Sequence, residues 1–314
     1  MRPQLSGRSM PSDPVVSPVS LSLGDTMRSV AADVDTLFDH ALALPGDPRD
    51  TLYEAMRHAA IGGGKRLRPL LVYASSALFN VAKESALRAG LAIECVHVYS
   101  LIHDDMPCMD DDDMRRGKPT VHKQFGEAMA VLAGDALQAL AFEIVTDPET
   151  HPDPFVRAEL ALELARASGP SGMVGGQVMD LAAEENIFDL PTTTRLQQLK
   201  TGALIAFCLE AGAILGHVPP EGRRSLRAYA RDIGLAFQIA DDLLDVEGDA
   251  AVVGKATGKD ANAGKATFVS LLGIERARAQ AAMLVDQAIA HLSTFGSEAD
   301  LLRAIARYVV ERDH

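Results

Sequence analysis

Tryptophan is absent from this chain of 314 residues, and aromatic residues make up only 5% of it. Strand-like alternation of apolar and polar residues is also scarce. Apolar positions instead recur at three- and four-residue spacing almost throughout, in a chain rich in Ala and Leu, so an all-α fold is expected. Positive charge is in deficit: 30 Lys and Arg face 43 Asp and Glu, for a formal net charge of -13. That balance disfavours nucleic acid and anionic membrane as partners. A phosphate-bearing ligand would have to be met by locally concentrated bases or by metal. The three cysteines, Cys95, Cys108 and Cys208, are an odd number without metal-ligand spacing. They read as reduced thiols of a cytoplasmic protein. Long apolar runs are missing too, and no bilayer-spanning segment is expected.

What is present is a chain long enough to bury a substantial core. Residues 1–26 hold six serines and four prolines with little hydrophobic periodicity. They read as a disordered extension preceding a folded domain over 27–314, and they lack the apolar stretch of a signal peptide. From Met27, the residues Val30, Val34, Leu37, Phe38 and Ala41 line one helical face, which Pro45-Gly46-Asp47-Pro48 ends. A second helix over about Asp50–Ala60 runs into Gly62-Gly63-Gly64-Lys65-Arg66-Leu67-Arg68-Pro69. The glycines allow close backbone approach, and bases at a helix start favour an anion. The P-loop pattern is not met.

Glu84–His103 reads as a buried, nearly all-apolar helix carrying His97, Tyr99 and Ser100. Further helices are expected over Gly126–Thr146, up to Ala167, from Gly175-Gly176, from Thr192, and from Glu221, with two amphipathic helices finishing the chain. Gln177 and Asp180 share one face, a spacing that suits core packing and capping as well as a ligand. Lys200, within a very apolar run, is unusual unless it faces a polar cavity.

Two acidic clusters dominate. The first, from His103 to Gly117, packs six aspartates into ten residues and is followed by Arg115-Arg116. Such crowding is unfavourable without a cation, and oxygen donors of this kind suit Mg²⁺ together with substrate phosphates. The second is Gln238-Ile239-Ala240-Asp241-Asp242-Leu243-Leu244-Asp245. Asp241 and Asp245 lie about 6 Å apart on one helical face and can share a cation. Asp104 and Asp110 would point about 120° apart on a continuous helix, so they converge only if the helix ends between them. Pro107 supplies the reason for such an end. Two such faces, with cations between them, would clamp a diphosphate and make it a good leaving group, while apolar helix faces keep a carbocation dry.

Asp104-Asp105-x₄-Asp110 with Arg115-Arg116, Asp241-Asp242-x₂-Asp245 and Gly64-Lys65-x₂-Arg68-Pro69 resemble the trans-isoprenyl diphosphate synthase (polyprenyl synthetase) family, in particular its short-chain bacterial members. The resemblance covers roughly residues 30–312. It implies an antiparallel helical bundle around a deep central cavity, usually a homodimer, that joins isopentenyl diphosphate to an allylic diphosphate and releases pyrophosphate. Asp104 and Asp110 would hold two Mg²⁺ (Mn²⁺ as the alternative) and Asp241 a third, supported by Asp105, Asp242 and Asp245. Arg115, Lys200 and Lys255 would contact the allylic diphosphate, with Lys265 assisting. Lys65, Arg68, His97 and Arg116 would hold isopentenyl diphosphate, and Thr201 and Gln238 would lie beside the developing cation. After Lys265 the chain reads Ala-Thr-Phe-Val where the family has Thr, then Tyr and Pro, which weakens that one assignment. Tyr99 lies about 7.5 Å beyond Asp104 along the helix. With Ser100 beside it, it resembles the floor that limits chain growth, and the expected product is the fifteen-carbon farnesyl diphosphate. Geranyl or geranylgeranyl diphosphate is the alternative. A terpene cyclase would lack the Gly62–Arg68 motif and a second Asp-rich motif. A non-catalytic Ca²⁺ protein would carry the glycine and terminal glutamate of an EF-hand loop.

Overall fold

The computed structural model describes residues 22–247 and 267–311. Helix α1 (Leu23–Ala41) starts four residues before Met27, because the Ser22 hydroxyl caps it by accepting from Asp25 N at 3.2 Å. The expected boundary at residue 26 is therefore corrected: Ser22–Thr26 belong to the folded part, because a Ser-x-x-Asp cap stands among the serines. Its buried stripe, Val30, Val34 and Phe38, matches the sequence reading. Helices α2 (Asp50–Ala60), α3 (Leu67–Ala77) and α4 (Lys83–Asp104) follow. A two-residue hairpin pairs β1 (Met114–Arg115) with β2 (Lys118–Pro119). Next come α5 (Val121–Phe125), α6 (Glu127–Thr146), α7 (Pro154–Ser168), α8 (Met173–Glu185) and α9 (Leu190–Gln197). A π-helical turn at Gln198–Gly202 joins α9 to α10 (Ala203–Leu215), and α11 spans Arg224–Glu247. Short α12 (Phe268–Leu272), then α13 (Ile274–His291) and α14 (Asp300–Glu311), complete the described fold.

The centre of the bundle is α4 and α10, both buried along most of their length. With few rings available, close helix approach fills the core, and glycines set it. A Cβ on Gly90 of α4 would meet Pro69 of α3 at 3.2 Å, and one on Gly212 of α10 would meet Ser75 Oγ at 2.2 Å. Ser75 Oγ also donates to the Cys208 carbonyl at 3.1 Å, tying α3 to α10. Cys95 and Cys208 are fully buried and their thiols are pushed up by burial, so they act as small apolar fillers. The C-terminal helix is fastened by Tyr229 of α11, whose buried hydroxyl donates to the Leu302 carbonyl at 2.8 Å.

Three helical stretches have the length and hydropathy to cross a membrane: Lys83–Asp104, Glu127–Thr146 and Leu190–Leu215. This corrects the expectation that no run is long enough, since a helical window tolerates polar residues that interrupt a run. Burial in the bundle accounts for the first and third, whose most apolar windows are 72% and 61% buried; the second reaches only 39%. Helix α6 accordingly leaves Val131 and Leu132 exposed.

Candidate active site

The first acidic cluster is built as its spacing required. Helix α4 stops at Asp104 and the chain folds back, so that Asp110 N donates to the Asp104 carbonyl at 2.8 Å. The Asp104 carboxyl is pushed up to about 6, first by burial and also by the charge of Asp110, with Lys200 pulling the other way. Asp105 turns the other way: both its oxygens accept from Arg115 Nε, at 2.8 and 2.9 Å, so it anchors that arginine.

Lys200 sits in the π turn and donates to Asp180 Oδ2 of α8 at 2.8 Å, which explains a lysine in so apolar a run. A π turn inside a helix often marks a functional site. The approach of α8 to this turn depends on Gly176, where a Cβ would stand 2.2 Å from Lys200 N and 2.5 Å from its Cα. Gly176→Ala is expected to cost about 1–3 kcal/mol by overpacking against backbone, measured as a lowered denaturation midpoint.

The basic half of the site surrounds His97, which lies on the buried α4. Burial, then Arg68, Arg116, Arg115 and Arg66, hold its imidazole well below the usual range, so it is neutral. Arg116 and Gly117 form the hairpin turn with φ of 52° and 77°, the mirror-image type I′ geometry that a two-residue connection needs. That turn lays the Arg116 guanidinium on the glycine loop, 2.7 Å from where a Cβ of Gly64 would stand, and the φ of 78° at Gly64 itself favours glycine. Burial pushes Arg116 down, Glu94 opposes, and Arg66, Arg115 and Arg68 push it further down. Among the described residues the Nε of Arg68 is buried without a hydrogen-bond partner. Lys65 Nζ lies 5.7 Å above the ring of Tyr308 on α14.

On α11, Gln238 is held by Asp242: its Nε2 donates to Asp242 Oδ1 at 2.9 Å, and Asp242 Oδ2 accepts from Phe268 N at 2.8 Å. Thr201 Oγ1 and Gln238 Oε1 are 3.5 Å apart. Asp241 and Asp245 fall one helical turn apart on α11, as expected. Tyr99 is buried on α4, its hydroxyl accepting from Gln138 Nε2 of α6 at 3.3 Å, and Ser100 Oγ donates to the His97 carbonyl at 2.8 Å. Lys255 and Lys265 lie outside the described residues.

The structure therefore brings together Asp104, Asp110, Arg115 and Lys200 on one side, and Arg68, His97, Arg115 and Arg116 on the other. Sequence reasoning missed Gln138, Tyr308 and the Asp180–Lys200 pair as such. The pair left two separate signals, the apolar surroundings of Lys200 and the face that Asp180 shares with Gln177 behind two glycines.

The family model described as polyprenyl synthetase matches residues 49–308. The chain belongs to the polyprenyl synthetase family. It is 47% identical over 268 residues to farnesyl diphosphate synthase of Escherichia coli (strain K12), covering 83% of this chain and 89% of that one. It is 46% identical over 269 residues to geranylgeranyl pyrophosphate synthase 11, chloroplastic, of Arabidopsis thaliana, covering 83% and 75%. Among solved structures, an apo FPP/GFPP synthase from Zymomonas mobilis aligns with a TM-score of 0.84 at 66% identity, covering 92% of this chain and 98% of that one.

Proposed function

We propose that this polyprenyl synthetase condenses isopentenyl diphosphate with an allylic diphosphate, dimethylallyl or geranyl, to give farnesyl diphosphate and pyrophosphate. One observation carries the reading. A carboxylate cluster around Asp104 adjoins an arginine cluster around His97, and Arg115 bears on both. Mg²⁺ and diphosphate are the pair of ligands that suits the two clusters together. The relatives named farnesyl diphosphate synthase support the same chemistry.

The donor set fits Mg²⁺: Asp104 and Asp110 supply hard oxygens, close enough that Asp110 adds to the rise that burial gives the Asp104 carboxyl. With Asp241 they would hold three ions, Asp245 supporting, whereas Asp105 and Asp242 act by positioning Arg115 and Gln238. Bound Mg²⁺ supplies charge neutralisation to the departing diphosphate. Lys200 and Arg115 donate to the allylic diphosphate oxygens, joined by Lys255 and Lys265. Arg68, Arg116, Lys65 and neutral His97 fix isopentenyl diphosphate by its phosphates. Thr201 and Gln238 turn oxygen dipoles toward the developing allylic cation, and the surrounding apolar helix faces exclude water from it. One domain carries all of this, in a homodimer that covers the exposed Val131 and Leu132 of α6. Sedimentation should give twice the chain mass, reverting toward one with Leu132→Glu.

The deciding assay is pyrophosphate release from isopentenyl and dimethylallyl diphosphates with and without Mg²⁺, followed by product chromatography. Absence of release sinks the enzyme; a dominant product of another length sinks only the farnesyl assignment. Tyr99→Ala removes the ring braced by Gln138 and should shift the product toward twenty carbons or more. Unchanged product length would show that Tyr99 is not the floor.

A further inference from the structure

Asp111, Asp113 and His122 have no part in the chemistry above. A carboxylate oxygen from each aspartate and one ring nitrogen of the histidine all lie within 4.8 Å of one another. The two aspartates are exposed, whereas His122, near the start of α5, is only 6% exposed. Its Nδ1 is 3.1 Å from Thr120 Oγ1, and that hydroxyl lies 3.4 Å from the Asp113 carbonyl. A hydroxyl proton directed to the carbonyl leaves Nδ1 to donate to Thr120 Oγ1, the tautomer that a cation on the other ring nitrogen requires. In that tautomer Nε2 is a lone-pair acceptor, and among the described residues it is buried without a hydrogen-bond partner. Leaving such a group unsatisfied is costly. Fixing the tautomer through the other ring nitrogen is how metal-bound histidines are held.

We propose that Asp111, Asp113 and His122 form a divalent-cation site, separate from Asp104 and Asp110, that takes a borderline cation of the Zn²⁺ class. One imidazole and two carboxylates are a donor set that suits Zn²⁺, whereas Mg²⁺ prefers oxygen alone. Bonds of about 2.0–2.2 Å require the ligand atoms to draw in slightly, which the exposed carboxylates can do by rotation. The resident competitor is Lys123, whose Nζ sits 2.7 Å from Asp113 Oδ1. A cation here links the end of the Asp-rich turn to the start of α5. Those are the two flanks of the hairpin that presents Arg115 and Arg116, so occupancy stiffens the hairpin. Binding does not depend on the proposed chemistry and is read without turnover.

The test titrates Zn²⁺ into the full chain under saturating Mg²⁺ by calorimetry, with Co²⁺ absorption reporting imidazole ligation. One Zn²⁺ per chain is expected, together with Co²⁺ bands that His122→Gln removes. Asp111→Asn and Asp113→Asn should each weaken binding by about tenfold or more, as should Thr120→Val through the lost tautomer lock. Lys123→Ala should tighten it. Asp104→Asn should leave it unchanged. The two aspartate variants are at the surface, so they decide the matter even if His122→Gln fails to fold. Zn²⁺ binding that is absent under saturating Mg²⁺, unaffected by Asp111→Asn and Asp113→Asn, or abolished by Asp104→Asn overturns the site.

Discussion

Asp104→Asn should lower kcat/KM for prenyl transfer by about a thousandfold at saturating Mg²⁺, the scale lost when one preorganised electrostatic contact to a leaving group is removed. Asparagine keeps the shape, and the backbone bond from Asp110 N to the residue 104 carbonyl is untouched, so the fold should survive. What disappears is one ionised oxygen donor in a site that has to neutralise diphosphate. The same substitution has a pH signature. In the metal-free protein the Asp104 carboxyl titrates at about 6, above its ordinary 3.8, because burial and Asp110 disfavour the charge. The folded state therefore binds the proton more tightly than the unfolded chain. This contribution to stability is full below about pH 4 and is lost as pH rises through about 6. Thermal melts of wild type without metal should show that loss, Asp104→Asn should not, and Mg²⁺ should restore wild type above pH 6. A variant retaining more than a tenth of wild-type turnover would remove Asp104 from the metal site.

Arg66→Met should cost about 3–5 kcal/mol of folding stability, the usual penalty for removing one member of a buried ion-pair group. Arg66 is 2% exposed and in a left-handed conformation, φ 49°, just before α3. It donates to Glu94 Oε1 at 2.8 Å, to Asp35 Oδ1 at 2.6 Å and to the Ala60 carbonyl. One guanidinium thus joins α1, the end of α2 and α4, and methionine would leave Glu94 buried without its ion-pair partner. Burial alone would pull Arg66 down, but Glu94 and Asp35 raise it overall, so the arginine remains charged. Chemical denaturation should show a lower midpoint. Combining Arg66→Met with Glu94→Leu should recover part of the loss, because the stranded carboxylate is then gone.

Much of this was readable from residue order alone, for identifiable reasons. Periodicity marked α2 as about Asp50–Ala60, which is its observed span, and marked α4 to within one residue at each end. Pro107 and the six-residue gap announced the fold-back at Asp104, and the four-residue gap announced the shared face of Asp241 and Asp245. Three bases in Lys65-Arg66-Leu67-Arg68 look alike as letters, however. The family motif singles out Arg68, and packing gives the reason: Arg66 is spent on Glu94 and Asp35, whereas the Nε of Arg68 has no partner among the described residues. The hairpin was equally hidden, because strands of two residues carry no alternation to read. Asp105 and Asp242 sit inside acidic motifs and look like ligands, yet long-range contacts to Arg115 and to Phe268 N decide their use. Gln138 meets Tyr99 across 39 residues of sequence, a separation that no local pattern spans.

The π turn at Gln198–Gly202 also acts as a phase shifter. Each residue of an α-helix advances about 100° around the axis, so the single residue a π turn adds rotates everything before it by that amount relative to everything after. Helix α10 can therefore bury its apolar faces at the centre while the segment before it keeps Lys200 trained on Asp180. A one-residue deletion here would be felt as a rotation of one register against the other, with no local bulge to absorb it. Chain length across these five positions is then as tightly constrained as the identity of the lysine itself.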